Sequence, residues 1–272
     1  MPQEPAPSPP PPGPPPTGAP ALPGVAPVPR VDFRVGDVLR RSFRIWFRNY
    51  VPFTALSVVL AAPFLLFSIY LRRTAPGDDQ TRLLVSLLQM TQLTIEGFLL
   101  TGAFTYAVFR QLRGQPAGLS RCVSIAVSRL LPMLGVSLLT LLALIGGCIL
   151  FCVPGLIALA ALWVTVPVSV VERQGLFNTL QRSIDLTRGA RFPILGLVLL
   201  IVSCLGTVSL ATQIVFGGSL TDPAAEERRT IVAGLVHALL GAFYPVANAV
   251  TYHDLRVAKE GVGTDELLRV FE

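Results

Sequence analysis

A few polar side chains stand inside long apolar stretches, where they could bind a proton or a polar ligand. Glu96 is the one carboxylate in the middle of such a stretch, and Gln89 and Gln92 precede it at helical spacings of three and four. A charge in lipid costs roughly 3 kcal/mol or more on an isolated helix, so Glu96 should face other helices, be paired or be protonated. These residues predict a polar stripe that faces the protein interior. It serves either as a proton or substrate site or as a buried hydrogen-bond network.

A second polar set lies in the last apolar stretch. His237 and Asn248 share one helical face with Gly241 and Pro245. His237 has two interpretations: it pairs with Glu96 across the protein, or a neighbouring hydroxyl or carbonyl satisfies it. Small residues on this helix would let neighbouring backbones approach closely.

Motifs of known catalytic and metal sites are missing from the sequence. It contains no Gly-x-x-x-x-Gly-Lys loop, no Gly-x-Ser-x-Gly elbow and no His-Glu-x-x-His pair, and its two histidines are His237 and His253. The four cysteines have no ligand-type spacing with histidine. We therefore predict no catalytic residue, no metal and no cofactor, and a protein that is not an enzyme.

Arginines at the ends of the apolar stretches are candidates for contact with anionic lipid headgroups or a protein partner. The candidates are Arg41, Arg44, Arg48, Arg121, Arg182 and Arg188. The alternative is that they set the topology and form local ion pairs. The net charge of +6 does not indicate nucleic acid, because the basic residues sit in short segments between apolar runs.

The elements that carry these residues are helices long enough to cross a membrane. Hydrophobic residues make up 52% of the 272, charged residues 14%, and the mean hydropathy is +0.62. A crossing needs about 20 mainly apolar residues. Six spans are predicted, over Tyr50–Leu71, Leu83–Phe109, Leu131–Val153, Gly155–Val171, Phe192–Gly217 and Thr230–Thr251. Only Pro154 separates the third span from the fourth, which predicts a tight hairpin, and prolines within the spans at Pro63, Pro167 and Pro245 predict kinks.

The distribution of basic residues predicts the orientation. If the N-terminus is inside, seventeen of the 22 arginines and lysines fall on the cytoplasmic side. Positive charge concentrates in cytoplasmic loops. We therefore expect a multi-pass protein of the cell membrane with both termini in the cytoplasm.

A pattern upstream of three prolines predicts an internal repeat. Counting back from Pro52, Pro132 and Pro193, the string Leu-x-Arg-[Ser/Cys]-apolar occurs each time, and it begins at Leu39, Leu119 and Leu180. The upstream segments are amphipathic at helical spacing. The predicted fold is thus an all-α membrane protein of six transmembrane helices, arranged as three hairpins, each preceded by an amphipathic interfacial helix. A fourth interfacial helix is predicted to start near Leu267.

The N-terminal segment differs in composition from the rest. Residues 1–30 hold 14 of the 24 prolines and lack a signal-peptide-like apolar run. Such a segment favours extended polyproline II and cannot bury a core. We predict a disordered cytoplasmic tail over 1–30, acting as a spacer or as a ligand for a proline-recognising protein, and a six-helix membrane domain over 31–272.

Several short strings resemble a known group of membrane proteins. They are Val153-Pro-Gly, Val171-Glu-Arg-Gln-Gly, Leu180-Gln-Arg-Ser, Leu186-Thr-Arg-Gly and Tyr252-His-Asp-Leu-Arg. They are similar to uncharacterised bacterial membrane proteins related to the membrane domain of glycerophosphoryl diester phosphodiesterase, over roughly residues 31–272. The resemblance implies a multi-helix bundle. No soluble segment here is long enough for the catalytic domain that sometimes accompanies it.

Two functional hypotheses follow. The first is a non-enzymatic scaffold or accessory subunit whose tail and interfacial helices contact partners and anionic lipid. The second is a small transporter or lipid-handling protein that uses the polar stripe around Glu96. Internal repeats are frequent in transporters. A cavity that reaches Glu96 would favour the second hypothesis, and a closed bundle the first.

Overall fold

The computed structural model describes residues 33–74, 78–112, 114–115, 118–150, 152–216 and 223–261. The predicted tail over 1–30 and the predicted helix near Leu267 lie outside these ranges. Within them the chain forms helices joined by short turns and no strand. The helices are α1 Val35–Arg48, α2 Tyr50–Thr74, α3 Asp79–Leu112, α4 Leu119–Ser128, α5 Leu130–Leu150, α6 Cys152–Ala161, α7 Thr165–Glu172, α8 Leu176–Thr187, α9 Arg191–Phe216, α10 Pro223–Leu240 and α11 Phe243–Glu260.

Most of the predicted spans coincide with helical stretches of membrane-crossing length. Over the described residues, five are long and apolar enough, at Tyr50–Thr74, Asp79–Leu112, Val153–Glu172, Arg191–Phe216 and Glu227–Glu260. The predicted third span falls in α5, whose apolar segment Leu131–Gly147 is shorter. The chain thus has the helices of a multi-pass membrane protein, and the sixth crossing stays a prediction.

Each predicted amphipathic segment is a separate helix before an apolar one. These are α1, α4 and α8, which precede α2, α5 and α9. The aligned small position of the repeat is buried in all three, at Ser42, Cys122 and Ser183. These helices therefore turn their small residues towards the protein, where a larger side chain would hold the backbone further away.

The helices α5 and α6 pack against each other where the third and fourth predicted spans meet, and the tight hairpin there stays a prediction. A methyl group added at Gly147 would lie 3.1 Å from Gly155 Cα. The two backbones therefore approach each other at a point where both helices carry glycine, as close helix packing in membranes requires.

The fourth and sixth predicted spans each contain a break close to a proline at which the sequence predicts a kink. The fourth is interrupted at residues 162–164, between α6 and α7, and the sixth at residues 241–242, between α10 and α11. Proline cannot donate to the carbonyl four residues earlier and its ring clashes with it. For Pro167 that carbonyl belongs to Trp163, and for Pro245 to Gly241, so each break lies where a proline removes a helical hydrogen bond. Pro63, by contrast, lies inside the continuous α2.

The core is centred on α11. Its residues from Pro245 to Leu255 are all buried. Aromatic contacts join this helix to others: Tyr252 stacks on Phe109 of α3, and Tyr244 meets Trp163 edge to face. Apolar packing around α11 thus fixes the polar side chains that this helix carries.

Candidate functional site

Glu96 is the centre of a polar group buried among the apolar helices. Glu96 is 2% exposed. The amide of Gln92 donates to Glu96 Oε2 over 3.3 Å, and His237 Nε2 lies 3.5 Å from the same oxygen. The other oxygen, Oε1, is buried and has no hydrogen-bond partner in the described part of the chain. The carboxyl group therefore has unused capacity to accept or donate a hydrogen bond.

His237 reaches Glu96 because Gly241 leaves room for it. The histidine lies in the last turn of α10, and the N–H of Gly241 donates to its carbonyl over 2.7 Å. A methyl group at Gly241 would lie 2.6 Å from that carbonyl oxygen and 3.3 Å from Cε1 of the imidazole. The helix break before Pro245 and the absent side chain at Gly241 together set the position of the imidazole.

A cavity of about 300 Å³ adjoins this pair. Its walls come from six helices and include Leu141, Val166, Leu205 and Tyr244 as well as Glu96 and His237. Thr101 also lines it, but its hydroxyl donates to the carbonyl of Gly97 over 2.6 Å. An apolar cavity with a few polar groups at one end is the usual form of a small-molecule site.

The remaining predicted polar residues lie apart from this pair. Gln89 is half-buried, two turns before Glu96 on α3. Asn248 is buried on α11 and donates its amide to the carbonyl of Trp163 over 2.6 Å. That carbonyl is the one that Pro167 leaves without its helical donor. Asn248 therefore stabilises the break in the fourth span instead of joining the Glu96 group.

Side chains of α8 complete the hydrogen bonding at the same break. Ser183 donates to the carbonyl of Ala161 over 2.9 Å, and Thr187 donates to the same oxygen over 3.2 Å. Thr165 donates to the carbonyl of Leu162. Buried backbone groups must be paired, and three helices supply the partners here.

A chain of charged groups connects α8 with the end of α11. Arg182 Nε donates to Glu172 over 2.7 Å, and its NH2 group contacts Glu260. Arg256 adds a 2.8 Å contact to Glu260. Burial alone would lower the pKa of Arg182, but the hydrogen bonds and charges of Glu172 and Glu260 outweigh it and raise that pKa above its usual value. Arg182 is thus a structural cation held by two carboxylates.

Arg41 has a comparable partner. Its NH1 group lies 2.8 Å from Asp254 of α11, which also contacts His253 Nδ1 at 3.1 Å. Two of the three aligned arginines of the repeat, Arg41 and Arg182, therefore bind carboxylates on the same helix. Contact of these two with lipid stays a prediction.

The other candidate arginines are exposed, three of them on helices and Arg188 just beyond the end of α8. They are Arg44, Arg48, Arg121 and Arg188. Among the residues that the structure describes, Arg44, Arg48 and Arg188 have no ion pair with a carboxylate, whereas Arg121 has an interaction within the protein. These positions fit contact with an anionic surface better than Arg41 and Arg182 do.

No protein-family model matches the chain, and no curated protein or solved structure shows significant similarity to it. The resemblance to the membrane domain related to glycerophosphoryl diester phosphodiesterase thus stays a prediction.

The carboxylates that pair with Arg41 and Arg182 were not among the candidate site residues predicted from the sequence. Glu172 and Asp254 stand in strings that carry the resemblance and Glu260 follows them, yet the sequence assigns no partner to any of the three. The sequence feature that distinguishes these carboxylates is their negative charge within segments rich in arginine and lysine. It could not be read because the partner of Arg41 lies 213 residues away in the chain.

Proposed function

We propose that this chain is a small transporter or lipid-handling protein that binds its ligand beside Glu96. The observation that carries the proposal is the cavity of about 300 Å³ bordered by Glu96 and His237, with one buried carboxylate oxygen unpartnered within the described residues. A carboxyl group next to an imidazole can exchange a proton when a polar ligand group arrives. The site serves binding and movement of a ligand, not bond cleavage.

The proposed setting is the cell membrane, with six spans as three hairpins and both termini in the cytoplasm. The five helices of crossing length and the shorter α5 support this arrangement. The excess of arginine and lysine on one side supports the orientation. Two exposed residues, Asp79 and Arg188, test the orientation, because the proposed arrangement puts them on opposite sides of the membrane. With the cysteines Asp79→Cys and Arg188→Cys, a membrane-impermeant maleimide added to whole cells should label only the first.

The scaffold hypothesis has less support from the geometry. Arg41 and Arg182 already bind carboxylates of the same chain. The proline-rich tail, its other basis, lies outside the described residues. A non-enzymatic accessory role through the tail remains the alternative function.

The decisive experiment compares the full chain with Glu96→Gln, each purified with native lipids. Bound lipids, small molecules and proteins are identified by mass spectrometry. We expect a lipid or small molecule that is retained by the wild type and lost in Glu96→Gln. The matched control is Gln89→Ala. This variant changes a half-buried polar residue of the same helix that does not line the cavity.

A carbodiimide that modifies carboxyl groups in apolar surroundings provides the second measurement. Glu96 should be modified in the wild type, and the retained ligand should protect it. If Glu96→Gln keeps every bound lipid and small molecule, the transport and lipid-handling proposal is wrong. Co-purification of a stoichiometric protein without such a ligand would then support the scaffold.

A further inference from the structure

An apolar groove runs along α1 and is separate from the Glu96 group. One side is formed by Leu39, Phe43 and Trp46 of α1, and the other by residues of α9 that include Leu200 and Cys204. Its volume is about 310 Å³. Phe43 is 55% exposed and Leu200 46%, so the groove is open to the surroundings of the protein.

Two cations stand at one end of this groove. A neighbouring cavity of about 510 Å³ is lined by Arg40 and Arg44, and it shares Leu39, Phe43 and Phe243 with the groove. Arg40 and Arg44 are four residues apart and therefore project from the same face of α1. Neither has an ion pair with a carboxylate within the described ranges. A cationic end thus continues directly into an apolar channel.

Trp46, one of the residues that line the groove, carries a buried hydrogen-bond donor. Trp46 lines the groove and is 8% exposed, yet its indole Nε1 has no acceptor among the described residues. A buried indole N–H usually finds a hydrogen-bond partner. An oxygen atom of a bound molecule would supply the missing acceptor.

We propose that the groove binds one anionic phospholipid. Its phosphate lies between Arg40 and Arg44, an ester oxygen accepts from Trp46 Nε1, and an acyl chain fills the groove beside Cys204. The charge of the arginines suits a phosphate, the unpartnered donor suits an ester oxygen, and the apolar walls suit an acyl chain. The inference does not depend on the proposed role of Glu96.

Lipid retention provides the first test. The full chain is transferred to phosphatidylcholine nanodiscs with and without phosphatidylglycerol, extracted, and examined by native mass spectrometry for bound lipid. The wild type should retain one phosphatidylglycerol. Each arginine near an anionic lipid contributes on the order of 1 kcal/mol, so Arg40→Gln and Arg44→Gln should each weaken retention about fivefold.

Matched variants distinguish specific lipid binding in the groove from nonspecific electrostatic attraction of anionic lipid to the arginines. Arg48→Gln removes the same charge from the same exposed helix but not from the groove, and it should leave retention within about twofold. Trp46→Phe keeps the ring and removes the N–H donor, and it should weaken retention. Cys204→Phe fills the groove while both arginines remain, and it should abolish retention.

Cys204 also reports on occupancy directly. It is exposed and is a free thiol. Phosphatidylglycerol should slow its alkylation by N-ethylmaleimide, whereas phosphatidylcholine and inorganic phosphate should not. Protection that persists after complete delipidation would mean that another part of the chain or a second copy covers the groove, and native mass would distinguish the two.

Several results would overturn the proposal. They are equal retention of phosphatidylcholine, equal loss in Arg48→Gln and Arg44→Gln, no effect of Cys204→Phe, or protection without lipid. Loss of retention in Glu96→Gln with unchanged groove variants would instead place the lipid at the Glu96 cavity. The failure of one site is therefore distinguishable from the failure of the other.

Discussion

Asn248 Nδ2 lies 2.6 Å from the carbonyl oxygen of Trp163, at the point where Pro167 interrupts the fourth span. The contact joins α11 to the turn between α6 and α7, 85 residues away in the chain. It replaces the helical donor that proline lacks. Asn248, a side chain of the interrupted sixth span, thereby stabilises the break in the fourth span.

Replacing this side chain should destabilise the protein. We expect Asn248→Ala to lower the free energy of unfolding by about 1–3 kcal/mol, because the Trp163 carbonyl would be buried without a partner. In a Pro167→Ala background, a backbone N–H becomes available to that carbonyl, so the cost should fall. Thermal unfolding in detergent, followed by tryptophan fluorescence, measures both. An equal cost in the two backgrounds would show that the hydrogen bond is not the reason.

The ion pairs of Arg182 should contribute to stability. Arg182→Gln removes contacts to Glu172 and Glu260 and leaves the largely buried Glu172 without its closest cation, so we expect a loss of about 1–3 kcal/mol. The control is Arg188→Gln, an exposed position just beyond the same helix, with an expected change within about 0.5 kcal/mol. Similar shifts in unfolding temperature for both variants would contradict the structural role of Arg182.

Gly241 should be needed for the position of His237. Gly241→Ala would place a methyl group against the His237 carbonyl and imidazole, and we expect a loss of about 1–3 kcal/mol with displacement of the ring from Glu96. Gly97→Ala is the matched control, because Gly97 lines the same cavity and an added methyl group would meet nothing within 4 Å. Carbodiimide labelling of Glu96 should change in Gly241→Ala only. A change of equal size in Gly97→Ala would show that cavity volume, not the imidazole, matters.

Cys122 should resist alkylation in the folded protein. Burial raises the pKa of its thiol from 9.0 to about 11. Because the thiol ionises more readily in the unfolded chain, its protonated form adds stability that is present below pH 9 and is lost as the pH rises towards 11. Iodoacetamide at pH 8, with peptide mass spectrometry, should modify Cys122 only after unfolding. Rapid modification of the folded protein would show that the thiol is not buried.

Apolar length and periodicity were sufficient to predict most helices, since each needs only local information. The amphipathic helix before α2, before α5 and before α9 follows from spacing alone. The prolines predicted kinks at three places, but which of them interrupts its helix could not be predicted in the same way. Pro63 and Pro167 look alike in sequence, but the carbonyl that Pro167 leaves without a helical donor accepts a hydrogen bond from Asn248, a residue 85 positions away from it in the chain.

The candidate site was predictable in part for the same reason. Glu96 and Gln92 belong to one helix, so their contact follows from a spacing of four residues. The contact of His237 with Glu96 was one of two interpretations, because it depends on how α10 packs against α3. The partners of Arg41 and Arg182 depend on where α11 ends, which no local pattern reports.

The pairing of Arg41 and Arg182 with α11 has a consequence for biosynthesis. Asp254 and Glu260 are translated after the ten helices that precede α11. Until they emerge from the ribosome, the two cations have no counter-charge from this helix. The charge pairing of these two arginines is therefore completed only with α11, and in a nascent chain stopped before residue 243 Arg41 would lack its carboxylate while Arg182 would keep only Glu172.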